Sequence, residues 1–239
     1  MSGQPVSNSA SLVPSRLLGI FGGTFDPVHI GHLRLAEEAR EQLALPEVRW
    51  IPAGQPPHRA GPSVAPAHRL ALVRAAVADN PAFSVDSAEV DSAAPSYTVT
   101  TLERLRILEG DRPLVLLLGA DAFLGFTRWH RWRDIVALAH LAVLTRPGVQ
   151  FDPARVAAGE GMHADAELAD LIAERRLDPA ERASLEARPA GSLLFVPMAP
   201  LAVSATDIRA RLREGRSVRY LLPPSVIDYI AANGLYRPE

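Results

Sequence analysis

The stretch Leu17 to His32 reads LLGIFGGTFDPVHIGH. Its first part, Leu17 to Phe21, is an unbroken apolar run stopped by Gly22-Gly23, the pattern of a strand buried on both faces and ended by a turn. Similar runs recur at Val48 to Ile51, Leu114 to Leu118, Leu141 to Leu144 and Leu193 to Val196. Between them lie helical spacings, such as Leu33, Leu35, Ala36, Ala39 and Leu43, then Leu70, Leu72, Val73, Ala76 and Val77. Strand alternating with helix predicts an α/β fold, a doubly wound parallel sheet with helices on both faces. Right-handed crossovers then bring the Gly22 loop, Pro52 to Arg59 and Gly119 to Asp121 to one cleft at the carboxyl edge of the sheet.

The rest of the chain fits a single domain over residues 16–239, preceded by a Ser-rich, uncharged leader (1–15) expected to be disordered. Phe151 to Gly191 breaks the rhythm and predicts a helical insertion, with Leu168, Leu171 and Ile172 as an apolar stripe that could serve self-association into a homo-oligomer. A C-terminal helical segment closes the chain, about Ala205 to Arg213 stopped by Gly215, and about Pro224 to Ala232 stopped by Gly234.

Composition excludes several chemistries. With 25 Lys and Arg against 27 Asp and Glu, the formal charge of -2 gives no broad attraction to nucleic acid or anionic lipid. No cysteine is present, so thiolate nucleophiles and cysteine-held metals drop out. No apolar run reaches the roughly 20 residues that span a bilayer, and the expected location is cytoplasmic. An anionic ligand must therefore be met by a local site.

Gly22 to His32 has the makings of such a site. Glycines after a strand let backbone amides approach a ligand, and the following helix start adds positive potential. His29 and His32 are three apart, so a helix beginning near Pro27 or Val28 projects both imidazoles from one face of its first turn. Near the other end, SATDIR offers Ser204 as an N-cap with Asp207 completing a capping box, and Thr206 and Arg209 on one helical face. A hydroxyl, helix amides and a guanidinium together suit phosphate oxygens.

These segments resemble the HxGH nucleotidyltransferase superfamily: Gly22 to Pro27 matches its GGTFDP lead-in, His29 to His32 its HxGH, and Val203 to Arg209 its late ISSTxIR, with Ala205 in place of a serine. A related synthetase would need a KMSKS-like loop and an anticodon-binding domain, and neither is visible. Further segments are similar to the bacterial nicotinate-nucleotide adenylyltransferases, over about Leu17 to Arg237: Pro56 to Arg59 to PPHK, Ser96 to Thr101 to SYTxxT, Gly119 to Asp121 to GxD, Trp129 to Trp132 to an aromatic segment, and Arg146 to Gly148 to RPG.

The resemblance implies a Rossmann-like sheet and transfer of the adenylyl group of ATP to nicotinate mononucleotide, giving deamido-NAD and pyrophosphate in NAD biosynthesis. It assigns His29, His32 and Arg209 to catalysis, and Gly22, Gly23, Thr24, Phe25, Arg59, Gly119, Asp121, Ser204 and Thr206 to ATP. It gives His58, Tyr97, Thr98, Trp129 and Arg146 to the acceptor, with Trp129 stacking on the pyridine and Trp132, three residues on along the same expected helix, structural. No clustered carboxylates form a metal cage, so magnesium is expected to arrive with ATP. Sister enzymes acting on nicotinamide mononucleotide or phosphopantetheine, and a non-catalytic nucleotide sensor, are the alternatives.

Overall fold

The protein is described from a computed structural model, which covers residues 15–57, 61–145, 153–157, 165–199 and 201–237. Residues 1–14 of the expected leader, and His58, Arg59 and Arg146, lie outside the described residues.

Six parallel strands form one sheet: β1 (Leu18–Gly23), β2 (Glu47–Pro52), β3 (Phe83–Val85), β4 (Leu114–Gly119), β5 (His140–Thr145) and β6 (Leu193–Pro197). The helices are α1 (Ile30–Leu43), α2 (Pro66–Val77), α3 (Ala88–Asp91), α4 (Thr98–Glu109), α5 (Ala120–Phe123), α6 (Trp132–Leu138), α7 (Pro153–Ala157), α8 (Ala166–Arg175), α9 (Ala205–Arg213) and α10 (Pro224–Ala232). The strand order is β3-β2-β1-β4-β5-β6, so the winding direction reverses between β1 and β4. Ligand crevices in open α/β sheets form at that reversal.

Successive residues of a strand point to opposite faces, and the two cores follow that alternation. Phe21, Val115, Leu117, Ala142 and Leu144 pack under α1, α2, α9 and α10. Leu18, Ile20, Leu114, Leu116, Leu118, Leu141 and Val143 pack under α4, α6 and α8. Both faces are covered, which is why these strands read as continuous apolar runs.

The predicted helix ends near the C-terminus agree with α9 and α10, and Gly215 (φ +67°) and Gly234 (φ +60°) occupy the left-handed positions that stop them. Four details differ from the sequence expectations. Strand β3 was not expected, since three half-buried residues, FSV, make no apolar run. Helix α1 starts at Ile30, not Pro27 or Val28, and His29 is its extended N-cap. Trp129 and Trp132 do not share a helix: Trp129 caps a 3-10 turn (Phe126–Arg128), and Arg131 in the left-handed region re-aims the chain into α6. The Leu168, Leu171, Ile172 stripe of α8 packs inside the second core, each residue less than a tenth exposed, so it is spent within this chain and does not present a self-association face.

Candidate active site

At the reversal point the carboxyl ends of β1 and β4 splay apart and leave a cavity of about 380 Å³. Gly22, Gly23 and Thr24 form one wall, Ala53, Pro56 and Pro57 the loop after β2 another, and Gly119 closes the β4 side. Thr98 and Trp129 also line it, so part of the expected ATP set and part of the acceptor set meet in one space. Asp121 is exposed on the first turn of α5, just beyond Gly119.

The histidine pair stands beside this cavity, not in its wall. The two rings stack with centroids 3.7 Å apart at 26°. They stack because His29 and His32 hold N-cap and third helical positions, and the His29 backbone N–H donates to His32 Nδ1 at 3.3 Å. With Nδ1 accepting, the neutral His32 ring carries its proton on Nε2. Gly31 is required between them, since a Cβ there would approach the His29 ring to 3.0 Å. Phe25 is placed differently from a ligand-facing side chain: its ring is buried against Phe21, Trp50 and His32, leaving only its main chain for a nucleotide.

The late motif reaches the same region. Arg209 Nη1 donates to the Asp26 carbonyl oxygen at 2.7 Å, and Nη2 donates to Thr206 Oγ1 at 3.3 Å. Ser204 caps α9 by accepting from the Asp207 amide at 3.1 Å. The second half of the expected capping box is not made, because the Asp207 carboxylate turns instead to Arg211 at 2.8 Å. Thr206 and Ser204 are exposed, open to a ligand at the helix start.

Sequence reasoning gave Asp26 no role, yet it is the hub of the site. Its Oδ1 accepts from Tyr236 Oη at 2.8 Å, its Oδ2 accepts from the Ser63 amide at 2.7 Å, and Arg209 Nη1 lies 3.9 Å from Oδ2. Burial, with the Asp26 charge beside it, holds the Tyr236 phenol far above its ordinary range, so it stays a donor. Only the match of Asp26 to the GGTFDP lead-in marked it in the sequence, and its partners are far along the chain.

Glu89 was also missed. It lines the cavity from α3, and Thr101 Oγ1 donates to its carboxylate at 2.5 Å. Burial raises its pKa, against the hydroxyls of Thr101 and Ser96 that favour the ionised form. Ser96 Oγ also accepts from the amides of Gly54 and Gln55, at 2.9 and 3.1 Å. The hydroxyls of Ser96 and Thr101 are thus engaged within the protein, which leaves Thr98 and the α4 amides to meet a ligand. Tyr97, the N-cap of α4, lays its ring 4.5 Å from that of His130. Trp132 packs on Phe126 and under Arg133, a structural setting.

Comparison with known proteins agrees with this architecture. The cytidylyltransferase-like family model matches residues 20–211. A relative from Dechloromonas aromatica named "Probable nicotinate-nucleotide adenylyltransferase" is 54% identical over 93% of this chain and 99% of its own. One of the same name from Halorhodospira halophila is 49% identical over 93% of this chain and 96% of its own. Among solved structures, the Plasmodium falciparum nicotinic acid mononucleotide adenylyltransferase complexed with NaAD superposes with a TM-score of 0.66 at 14% identity, over 92% of this chain and 97% of that one, which speaks to the fold alone. The chain belongs to the cytidylyltransferase-like family of nucleotidyltransferases, among the nicotinate-nucleotide adenylyltransferases.

Proposed function

We propose that the protein transfers the adenylyl group of ATP to the phosphate of nicotinate mononucleotide, releasing pyrophosphate and forming deamido-NAD. The observation that carries this reading is the bond from Arg209 to the Asp26 carbonyl, which joins the late phosphate motif to the loop bearing the histidine pair, beside a cavity that holds Thr98 and Trp129.

The acceptor phosphate, already ionised, attacks the α-phosphorus in line, so no general base and no covalent intermediate are needed. Catalysis is positioning and charge stabilisation. His29 and His32 donate to the α-phosphate as its charge grows, while Arg209, Thr206 and the α9 amides hold the departing phosphates. Gly22, Gly23 and Thr24 bring main chain close to the nucleotide, and Gly119 and Asp121 serve the ribose. Tyr97, Thr98, Trp129, His58 and Arg146 receive the acceptor, and Arg59 covers the phosphates; the last two basic side chains and His58 belong to the segments outside the described residues. ATP comes as its divalent-metal complex, with magnesium the metal. Among the described residues no group of three or more His, Asp or Glu side chains is arranged to hold an ion.

The deciding experiment compares turnover of nicotinate mononucleotide, nicotinamide mononucleotide and phosphopantetheine with ATP, followed by pyrophosphate release. A preference for the nicotinate compound of roughly tenfold or more, equivalent to about 1.4 kcal/mol in the transition state, is expected. A preference for phosphopantetheine overturns the acceptor assignment, and ATP binding without pyrophosphate release for any acceptor overturns the enzyme assignment.

A further inference from the structure

We propose that Arg69 is a positioning residue for the transfer, a buried cation that fixes the loop after β1 and the loop after β2 relative to each other; this rests on the two-substrate reaction proposed above. Arg69 lies in the first half of α2, on the face that carries Leu72, Val73 and Ala76 into the core, and it is 0% exposed. Arginine is rarely taken fully out of water without a carboxylate partner. Among the described residues no carboxylate pairs with it directly, the Asp26 charge acting on it only at longer range against the cost of burial, and its Nε has no hydrogen-bond partner. A methionine or leucine would fill the same stripe without the cost of desolvating a charge, so the guanidinium has a use other than packing.

That use is legible in its contacts. Nη1 donates to the carbonyl oxygens of Thr24 at 2.8 Å and Ala53 at 2.5 Å, and Nη2 donates to that of Gly54 at 2.9 Å. Thr24 belongs to the loop after β1, and Ala53 and Gly54 to the loop after β2, two walls of the cavity. A planar trans peptide sends its N–H away from its C=O. Arg69 therefore decides which way the amides of these units face.

Two of the three units are held at both ends. The carbonyls of Ala53 and Gly54 go to Arg69, and the N–H groups of the same two peptides, on Gly54 and Gln55, go to Ser96 Oγ. The loop has no slack in the third direction either, because a Cβ on Gly54 would meet the Glu89 carbonyl oxygen at 1.9 Å. The third unit leaves its amide, on Phe25, directed away from the guanidinium. Nη1 thus bridges the two loops while Nη2, fixed beside it in the same plane, holds the next carbonyl of the second loop, a three-carbonyl arrangement that the single ammonium of a lysine cannot reproduce. In-line transfer is sensitive to such spacing, and a misplacement of about 1 Å costs on the order of a hundredfold.

The test is Arg69→Lys and Arg69→Met, each checked for folding by circular dichroism and assayed with whichever acceptor the wild type turns over. The expected result is a fall in kcat of roughly tenfold or more, with KM for ATP and acceptor changed by less than about threefold. In Arg69→Ala, guanidinium ion at low concentration restores part of kcat, and sodium chloride at equal ionic strength does not. Independently of turnover, hydrogen exchange at the Gly54 and Gln55 amides is faster in Arg69→Lys, so a wild type inactive on nicotinate mononucleotide would undo the proposed function without touching this inference. Should the Met and Ala variants fail to fold, Ser96→Ala releases the other end of the same peptides without emptying the core, and the same kcat loss is expected. A folded Arg69→Met with kcat within about twofold of wild type, or rescue that sodium chloride matches, or a Ser96→Ala variant of unchanged kcat and exchange, overturns the proposal.

Discussion

Arg209 and Asp26 are 183 positions apart in sequence, and the guanidinium of one donates to the main-chain oxygen of the other at 2.7 Å. Through that bond the amino end of α9 is tied to the turn that leads into the stacked histidines. Arg209 is only partly committed: its side chain keeps about a quarter of its surface, 24%, open to solvent and to a ligand. A guanidinium has five N–H donors, so the anchor to Asp26 and Thr206 leaves capacity for phosphate oxygens.

His32→Ala removes a side chain that is only half-buried, so the fold is expected to survive while turnover falls on the order of a hundredfold, the usual cost of one transition-state donor. Single-turnover kinetics on protein of verified circular dichroism checks it, and near-normal rates would remove His32 from the mechanism.

Trp129→Ala opens the acceptor side of the cavity. Loss of a stacking face is expected to raise the acceptor KM about tenfold, close to 1.4 kcal/mol, and to leave the KM for ATP alone. If both constants rise together, Trp129 supports the whole pocket and does not read the acceptor ring.

Tyr236→Phe deletes the donor to Asp26 Oδ1 in a site where Tyr236 and Asp26 are 8% and 7% exposed. An acceptor left buried and unpaired costs about 1–3 kcal/mol, read as a lower urea midpoint at unchanged slope. An unmoved midpoint would show that water replaces the phenol at no cost.

Stability is expected to fall on acidification through His140, which is fully buried at the start of β5. Its Nδ1 accepts from the Ser192 amide at 3.1 Å and its Nε2 donates to the Arg188 carbonyl at 2.9 Å. Burial is the largest cause holding its folded pKa below the ordinary 6.5. The folded base is thus harder to protonate than the unfolded one. Its contribution is intact above pH 6.5 and declines as pH drops from there toward the folded value. The slope reaches at most about 1.4 kcal/mol per pH unit for one proton, and His140→Gln should lose that part of the slope. An identical pH profile in the variant would place the titration elsewhere.

The sequence by itself determined the features that short-range physics writes into neighbouring residues. Short apolar runs located five of the strands, two of them ended by glycine; Ser204 and Gly215 bounded α9; and the spacing of His29 and His32 brought their rings together, although the helix began later than expected and the pair met as cap and first turn. Only the tertiary structure decided what lies between distant segments. That Asp26 is the common partner of Ser63, Arg209 and Tyr236, that Arg69 is a buried clamp on two loops, and that Glu89 consumes the hydroxyls of Ser96 and Thr101 all depend on crossovers closing the sheet. Hydrogen bonds across such separations leave no periodicity in a chain, because the geometry that makes them exists only after the strands have paired and both faces of the sheet have been covered.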